Sequence, residues 1–128
     1  MQKTILNSVK ITGNGLHTGK PTSICFLPAK ENTGIIFQRI DLEGKPFISA
    51  SIKNIYKTKR RTVLKENNAT IETVEHVLAT LFALEISNIL IKVDGPEIPI
   101  LDGSAKLIAE KLEQAGIKKQ NLQRKKLN

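Results

Sequence analysis

The sequence has one cysteine, two histidines, no tryptophan and no long apolar run. A single thiol, Cys25, cannot form a disulfide within the chain, which favours a reducing compartment such as the cytoplasm. No apolar stretch reaches the roughly 18 residues of a membrane span, and the first residues lack the apolar core of a signal peptide. Aromatic residues make up only 4% of the chain. None interleaves with the basic residues, which disfavours nucleic acid as a partner.

What is present fits one globular domain: 128 residues, 40% of them hydrophobic. The net charge of +8 is concentrated in two clusters. One contains Lys57, Lys59, Arg60 and Arg61, and the other lies within residues 118–126. Such clusters can attract a polyphosphate, although a solvated face and a flexible tail explain them equally well.

Alternating apolar residues predict short strands from Lys3 to Ile71, including a hairpin around Asn67-Asn68. Glycine and proline predict loops over residues 13–21 and 95–103, and Asn88–Asp94 reads as a further strand. The predicted second helix, Ala105–Ala115, is capped by Ser104 and ended by Gly116. This order predicts an α+β fold, a mostly antiparallel sheet with two helices on one face. Residues 1–117 would form the domain and residues 118–128 a basic linker or tail.

The strongest helix signal lies in residues 71–84. Five apolar residues follow a 3.6-residue period and predict one buried stripe: Val74, Val77, Leu78, Leu81 and Phe82. Thr73 is the predicted N-terminal cap, although Glu72 is also a candidate for the helix boundary. Ala79 and Ala83 lie three and seven residues after His76, so another element could approach the histidine closely.

Glu75 and His76 lie side by side in the first turn of this helix. A carboxylate beside an imidazole can serve as a general base beside a metal ligand. On this helix alone, a solvated glutamate and a core histidine are the simpler explanation of the pair. The zinc-protease pattern H-E-x-x-H is absent, because the order is reversed and position 80 is threonine.

Three segments together resemble one family: Gly15-Leu16-His17-Thr18-Gly19, Thr73-Val74-Glu75-His76, and residues 96–105, which read PEIPILDGSA. In this order and spacing they resemble the N-terminal domain of the bacterial zinc deacetylase of lipid A synthesis, UDP-3-O-acyl-N-acetylglucosamine deacetylase. The resemblance extends from about Gln2 to Gly116. It implies two domains of similar layout, with the active site between them.

The resemblance also implies roles for individual residues. His76 would be one of three ligands of Zn²⁺, and Glu75 the general base. His17 would lie near the substrate, UDP-3-O-acyl-N-acetylglucosamine, and Asp102 would support the site without contacting the substrate. Arg60 and Arg61 depart from the family pattern. They could bind the substrate diphosphate, or they could mark a changed substrate.

The family's other two zinc ligands and its general acid have no counterpart in these 128 residues. The sequence therefore predicts half an active site, inactive until a C-terminal deacetylase domain joins it in cis or in trans. An alternative is a non-catalytic module of the same fold that binds a nucleotide-sugar, a protein or nucleic acid through its basic clusters. Self-association is compatible with both hypotheses, because a lone domain would expose surface that normally faces its partner.

Overall fold

The computed structural model describes residues 1–15, 19–58, 61–100 and 105–121. Its two helices are α1 (Glu75–Ala83) and α2 (Ala105–Ala115). The strands are β1 (Lys3–Ile5), β2 (Val9–Gly15), β3 (Pro21–Pro28), β4 (Ile35–Arg39), β5 (Phe47–Ser49), β6 (Ile55–Lys57), β7 (Thr62–Glu66), β8 (Ala69–Glu72), β9 (Ile89–Val93), β10 (Pro99–Ile100) and β11 (Ile117–Lys119). This confirms the α+β prediction.

The described strands form three sheets rather than one. The largest has six strands in the order β10-β2-β3-β9-β4-β5. Within it, β4 and β9 run parallel and the other neighbours antiparallel. Strands β6, β7 and β8 form a second sheet, and β1 pairs with β11 in a third.

Cross-strand rows of apolar residues hold the large sheet against the helices. Phe26 pairs with Ile91, Ile91 with Phe37, and Phe37 with Ile48, and all four side chains are fully buried. They belong to the same hydrophobic core as the buried residues of both helices. Burial of a side chain of this size stabilises the fold by about 1.5–3 kcal/mol. The core therefore fixes the position of α1.

Two predicted loops are shorter than the sequence indicated. Strand β2 continues through Gly13 to Gly15, because it is paired with β3 on one side and with β10 at its end. The segment 95–103 was predicted as loop throughout, yet Pro99 and Ile100 form the edge strand β10. Proline is tolerated at a sheet edge, where its missing N–H interrupts no ladder.

Other predicted features are confirmed. Asn67 and Asn68 both have positive φ, 55° and 60°, and join β7 to β8 in a hairpin. Gly116, with φ of 86°, follows the last residue of α2. Within the region predicted to form short strands, β5 ends at Ser49 and a 3-10 turn begins at Ile52.

The division of the chain at residue 117 stays a prediction. The structure adds that β11 extends to Lys119, and that Gln120 is buried and hydrogen-bonds Gln2. Within the described ranges, neither helix has the length and apolar character needed to cross a membrane.

Candidate active site

Glu75 and His76 are the first two residues of α1. Glu75 is half-buried, and its Oε2 accepts a hydrogen bond of 3.1 Å from the backbone N–H of Thr62, the first residue of β7. His76 is exposed. The helix therefore presents an anchored carboxylate beside an accessible imidazole.

The prediction that Thr73 caps α1 is wrong. Val74 occupies the N-cap position, and no side chain caps the helix. Thr73 has a φ of 64°, and its Oγ1 donates a hydrogen bond of 3.0 Å to Oε2 of Glu97. A local capping bond has therefore been replaced by a tertiary one to a residue 24 positions away.

The buried stripe of α1 is also narrower than predicted. Val77 and Leu81 are fully buried, but Phe82 is 69% exposed. Phe82 lies roughly 140° around the helix from Val77, and the buried Thr80 occupies the other side of the stripe. Ala79 and Ala83 are exposed. In the part of the chain that the structure describes, the small-residue face beside His76 is therefore accessible to solvent.

Residues 96–100 make backbone contacts at or next to the start of each of the other two motif segments, which begin at Gly15 and at Thr73. Glu72 donates a backbone hydrogen bond of 2.8 Å to Pro96 and accepts one of 3.1 Å from Ile98. The next residue, Pro99, pairs with Gly15 of β2. The described parts of three segments that are distant in sequence therefore lie next to one another at the start of α1.

Arg61 forms an ion pair of 2.8 Å with Glu72. Its Nε is buried and has no hydrogen-bond partner among the described residues. Three predicted site residues, His17, Arg60 and Asp102, lie outside the described residues, as does the predicted cap Ser104.

The donor types at the start of α1 suit zinc, since imidazole nitrogen and carboxylate oxygen are both ligands that zinc accepts. The number of donors is too small. The described ranges contain no group of three or more histidine, cysteine, aspartate or glutamate residues that could hold a metal ion. The two donor types are therefore compatible with zinc, but the described residues do not by themselves complete a zinc site.

Two features near the site were missed from the sequence. Glu97 is 1% exposed, although a carboxylate between two prolines looked like part of a surface loop.

Arg39 is also buried, and its guanidinium makes hydrogen bonds of 2.9 and 2.8 Å to Asp41 and of 2.8 Å to the carbonyl of Thr70. The hydrogen bonds from Arg39 hold the pKa of Asp41 below its ordinary value. A charged residue inside an apolar stretch is the signal that could have identified both.

Comparison with known proteins matches residues 2–128 to the family described as LpxC, UDP-3-O-acyl N-acetylglycosamine deacetylase. The chain is 48% identical over 120 residues to the bifunctional enzyme LpxC/FabZ of Bacteroides thetaiotaomicron, covering 94% of this chain and 26% of that protein. It is 45% identical over 117 residues to the UDP-3-O-acyl-N-acetylglucosamine deacetylase of Lawsonia intracellularis, covering 91% and 38%.

For the deacetylase of the same name from Bdellovibrio bacteriovorus, the identity is 40% over 125 residues, covering 98% and 41%. The chain thus spans between about a quarter and two-fifths of the length of these relatives. The family match covers nearly every residue of the chain. The chain therefore belongs to the UDP-3-O-acyl N-acetylglycosamine deacetylase family.

Proposed function

We propose that this chain supplies the general base and one metal ligand of a zinc-dependent deacetylase that acts on UDP-3-O-acyl-N-acetylglucosamine in lipid A biosynthesis. The observation that carries the proposal is the pairing of Glu75 and His76 at the open start of α1. Membership of the deacetylase family supports it.

Glu75 has the geometry of a general base. Thr62 N–H engages Oε2, which leaves Oε1 to accept a proton from the attacking water. The water oxygen then adds to the carbonyl carbon of the acetamide, the proton held by Glu75 passes to the departing nitrogen, and cleavage of the C–N bond gives acetate and the free amine. A positioned carboxylate of this kind contributes about 10²–10⁴-fold to the rate.

His76 would hold the zinc ion through its imidazole, together with ligands from a C-terminal deacetylase domain. When bound, the zinc would supply Lewis acidity and lower the pKa of a bound water. The exposed face that carries His76, Ala79 and Ala83 leaves room for such a domain. We therefore expect the isolated chain to be inactive.

Arg60 and Arg61 are the proposed contacts for the substrate diphosphate. The buried Nε of Arg61, without a partner among the described residues, supports this role, whereas the ion pair to Glu72 partly neutralises the side chain. Replacing both arginines with alanine should weaken binding of UDP to the chain about tenfold, a loss of about 1.4 kcal/mol.

UDP titrations followed by NMR would measure that affinity. A double variant with Lys118→Ala and Lys119→Ala, two exposed residues of β11, removes the same amount of charge elsewhere and serves as the control. Equal affinity in all three proteins would refute the diphosphate contact.

The alternative, a non-catalytic module that binds through its basic clusters, stays a prediction. It has less support, because Arg61 is engaged with Glu72. We place the activity in the cytoplasm, since a chain with one cysteine needs no disulfide-forming compartment.

The decisive experiment is complementation. The purified chain is assayed with Zn²⁺ on UDP-3-O-acyl-N-acetylglucosamine, alone and mixed with the separately made remainder of the Bdellovibrio bacteriovorus relative. We expect acetate release only in the mixture, and its loss with His76→Ala or Glu75→Ala. Glu113→Gln, at an exposed position of α2, should retain the activity of the unaltered chain.

Activity of the chain alone would show that the ligand set is complete without a partner. If the two parts associate in sedimentation but the mixture is inactive, the proposal fails. In that case the binding-module hypothesis would take precedence.

A further inference from the structure

Glu97 is almost completely buried, with 1% of its surface exposed. A carboxylate in such a place is costly unless hydrogen bonds replace its lost hydration. One of those bonds comes from Oγ1 of Thr73, at 3.0 Å. The backbone of Glu97 also forms a β-bridge with that of Glu72. Both the side chain and the backbone of Glu97 therefore contact the residues that lead into α1.

Thr73 has a φ of 64°, which is the left-handed region. A β-branched residue is a genuine outlier there, and such a conformation persists only where the surroundings enforce it. Two contacts enforce it here: Oγ1 is bonded to Glu97, and the backbone N–H donates to the carbonyl of Thr62 at 2.9 Å. This single residue turns the chain from β8 into α1.

The backbone of Thr62 forms hydrogen bonds on both sides of the turn. Its carbonyl accepts from Thr73 and, at 3.3 Å, from Val74, while its N–H donates to the Glu75 carboxylate. The direction in which Glu75 points therefore depends on the turn at Thr73. A shift in that turn would move the carboxylate relative to Thr62.

We infer that Glu97 is a positioning residue, which through Thr73 holds the left-handed turn that orients Glu75 and His76 for catalysis. A glycine at position 73 with an ordinary N-cap would make a similar turn without burying a charge. The buried carboxylate instead couples the start of α1 to the segment 96–100, which also carries β10. The role of Glu75 in this inference rests on the proposed function.

The test uses Thr73→Val, which keeps the side-chain shape and removes the hydroxyl, and Thr73→Ser, which restores it. Thr70→Val on β8 is the matched control. Hydrogen exchange of the Thr62 amide is measured by NMR in the chain alone, relative to the amides of Leu64 and Ile71 in the same sheet. The rate constants kcat and KM are measured in the complementation mixture.

We expect Thr73→Val to reduce the relative protection of the Thr62 amide about tenfold. The same variant should lower kcat about 10- to 100-fold with little change in KM, because a misplaced base slows the chemical step. Thr73→Ser and Thr70→Val should match the unaltered chain in both readouts. A loss of thermal stability in Thr73→Val, with Thr62 protection and kcat unchanged, would show a purely structural bond and overturn the inference.

Glu97→Leu provides a second route if Thr73→Val does not fold, because leucine fills a similar volume and lacks the oxygen that accepts from Thr73. We expect the same losses of Thr62 protection and of kcat as in Thr73→Val, and recovery of Thr62 protection in Glu97→Gln, whose amide oxygen can accept from Thr73. Thr62 protection and kcat that are unchanged in Glu97→Leu would refute the positioning role. The exchange measurement needs no activity, so an inactive mixture would count against the proposed function and leave this test valid.

Discussion

The Glu75 carboxylate and the backbone N–H of Thr62 are joined by a hydrogen bond of 3.1 Å. This bond connects the first residue of α1 to the first residue of β7. It engages Oε2, and under the proposed function Oε1 would accept the proton. The position of the side chain and its capacity to accept a proton can therefore be separated by mutation.

Glu75→Gln keeps an oxygen for Thr62 but cannot act as a base, whereas Glu75→Asp keeps the charge and is one methylene too short to reach. We expect Glu75→Gln to lower the deacetylation rate of the mixture about 10²–10⁴-fold with the Thr62 amide still protected. Glu75→Asp should lose that protection and about 10²-fold in rate. NMR exchange and acetate release measure the two effects. Full activity of Glu75→Gln would exclude Glu75 as the base.

Two adjacent residues of α1 should differ sharply in their effect on stability. Leu81 is fully buried and Phe82 is 69% exposed. Leu81→Ala should lower the free energy of unfolding by about 2–5 kcal/mol, and Phe82→Ala should change it by less than about 0.5 kcal/mol. Urea unfolding of both variants checks this. Equal losses would show that Phe82 is buried in solution, for example in a self-associated form.

The Arg39–Asp41 pair should make stability depend on pH. The folded pKa of Asp41 is lowered from an ordinary value of about 3.9. The pair therefore stabilises the fold above about pH 4, and this contribution is lost as the pH falls through the folded pKa. Asp41→Asn should lower the free energy of unfolding by about 1–3 kcal/mol at pH 7, and by progressively less below pH 4.

Urea titrations at several pH values would show this convergence. Asp94→Asn, at an exposed position, is the control for removal of a negative charge. The linkage to Asp41 would be ruled out if the free energies of unfolding of Asp41→Asn and the unaltered chain differed by the same amount at every pH down to the acid transition.

Asn88 joins three parts of the chain within the core. Its side chain is only 1% exposed. Nδ2 donates hydrogen bonds to Oε1 of Gln2 at 2.7 Å and to Oε1 of Gln120 at 2.8 Å. Oδ1 accepts a hydrogen bond from the backbone N–H of Gly34 at 2.9 Å. Asn88→Ala would remove all three of these hydrogen bonds, so we expect a loss of about 2–4 kcal/mol. Denaturant unfolding measures it, with the exposed Asn121→Ala as control. A loss no larger than the control's would show that water replaces the amide.

The sequence identified elements whose cause is local. Asn67-Asn68 specifies its turn through residues that tolerate positive φ, and Gly116 ends α2 for the same reason. The strand Ile89–Val93 follows from a run of β-branched residues. Helix periodicity placed Glu75 and His76 in the first turn of α1, and only the family resemblance favoured a catalytic pair over a solvated one.

Features that depend on distant partners were out of reach. The hydroxyl of Thr73 had a plausible local use as a cap, and only the fold brings Glu97 beside it. Phe82 continued the apolar pattern, although a nine-residue helix packed mainly through Val77 and Leu81 leaves it outside. The pairing of β10 with β2 depends on a register between residues more than 80 positions apart.

The antiparallel pairing of β1 with β11, and the 2.7 Å hydrogen bond from Gln120 N–H to the carbonyl of Gln2, bring the two ends of the described fold together. Adjacent ends allow a protein to be circularly permuted. A short linker could join residue 120 to residue 2, and new termini could open between Asn67 and Asn68 in the exposed hairpin turn. Every strand pairing would survive this change, so the order of the segments along the polypeptide could be altered without changing the spatial arrangement that presents Glu75 and His76.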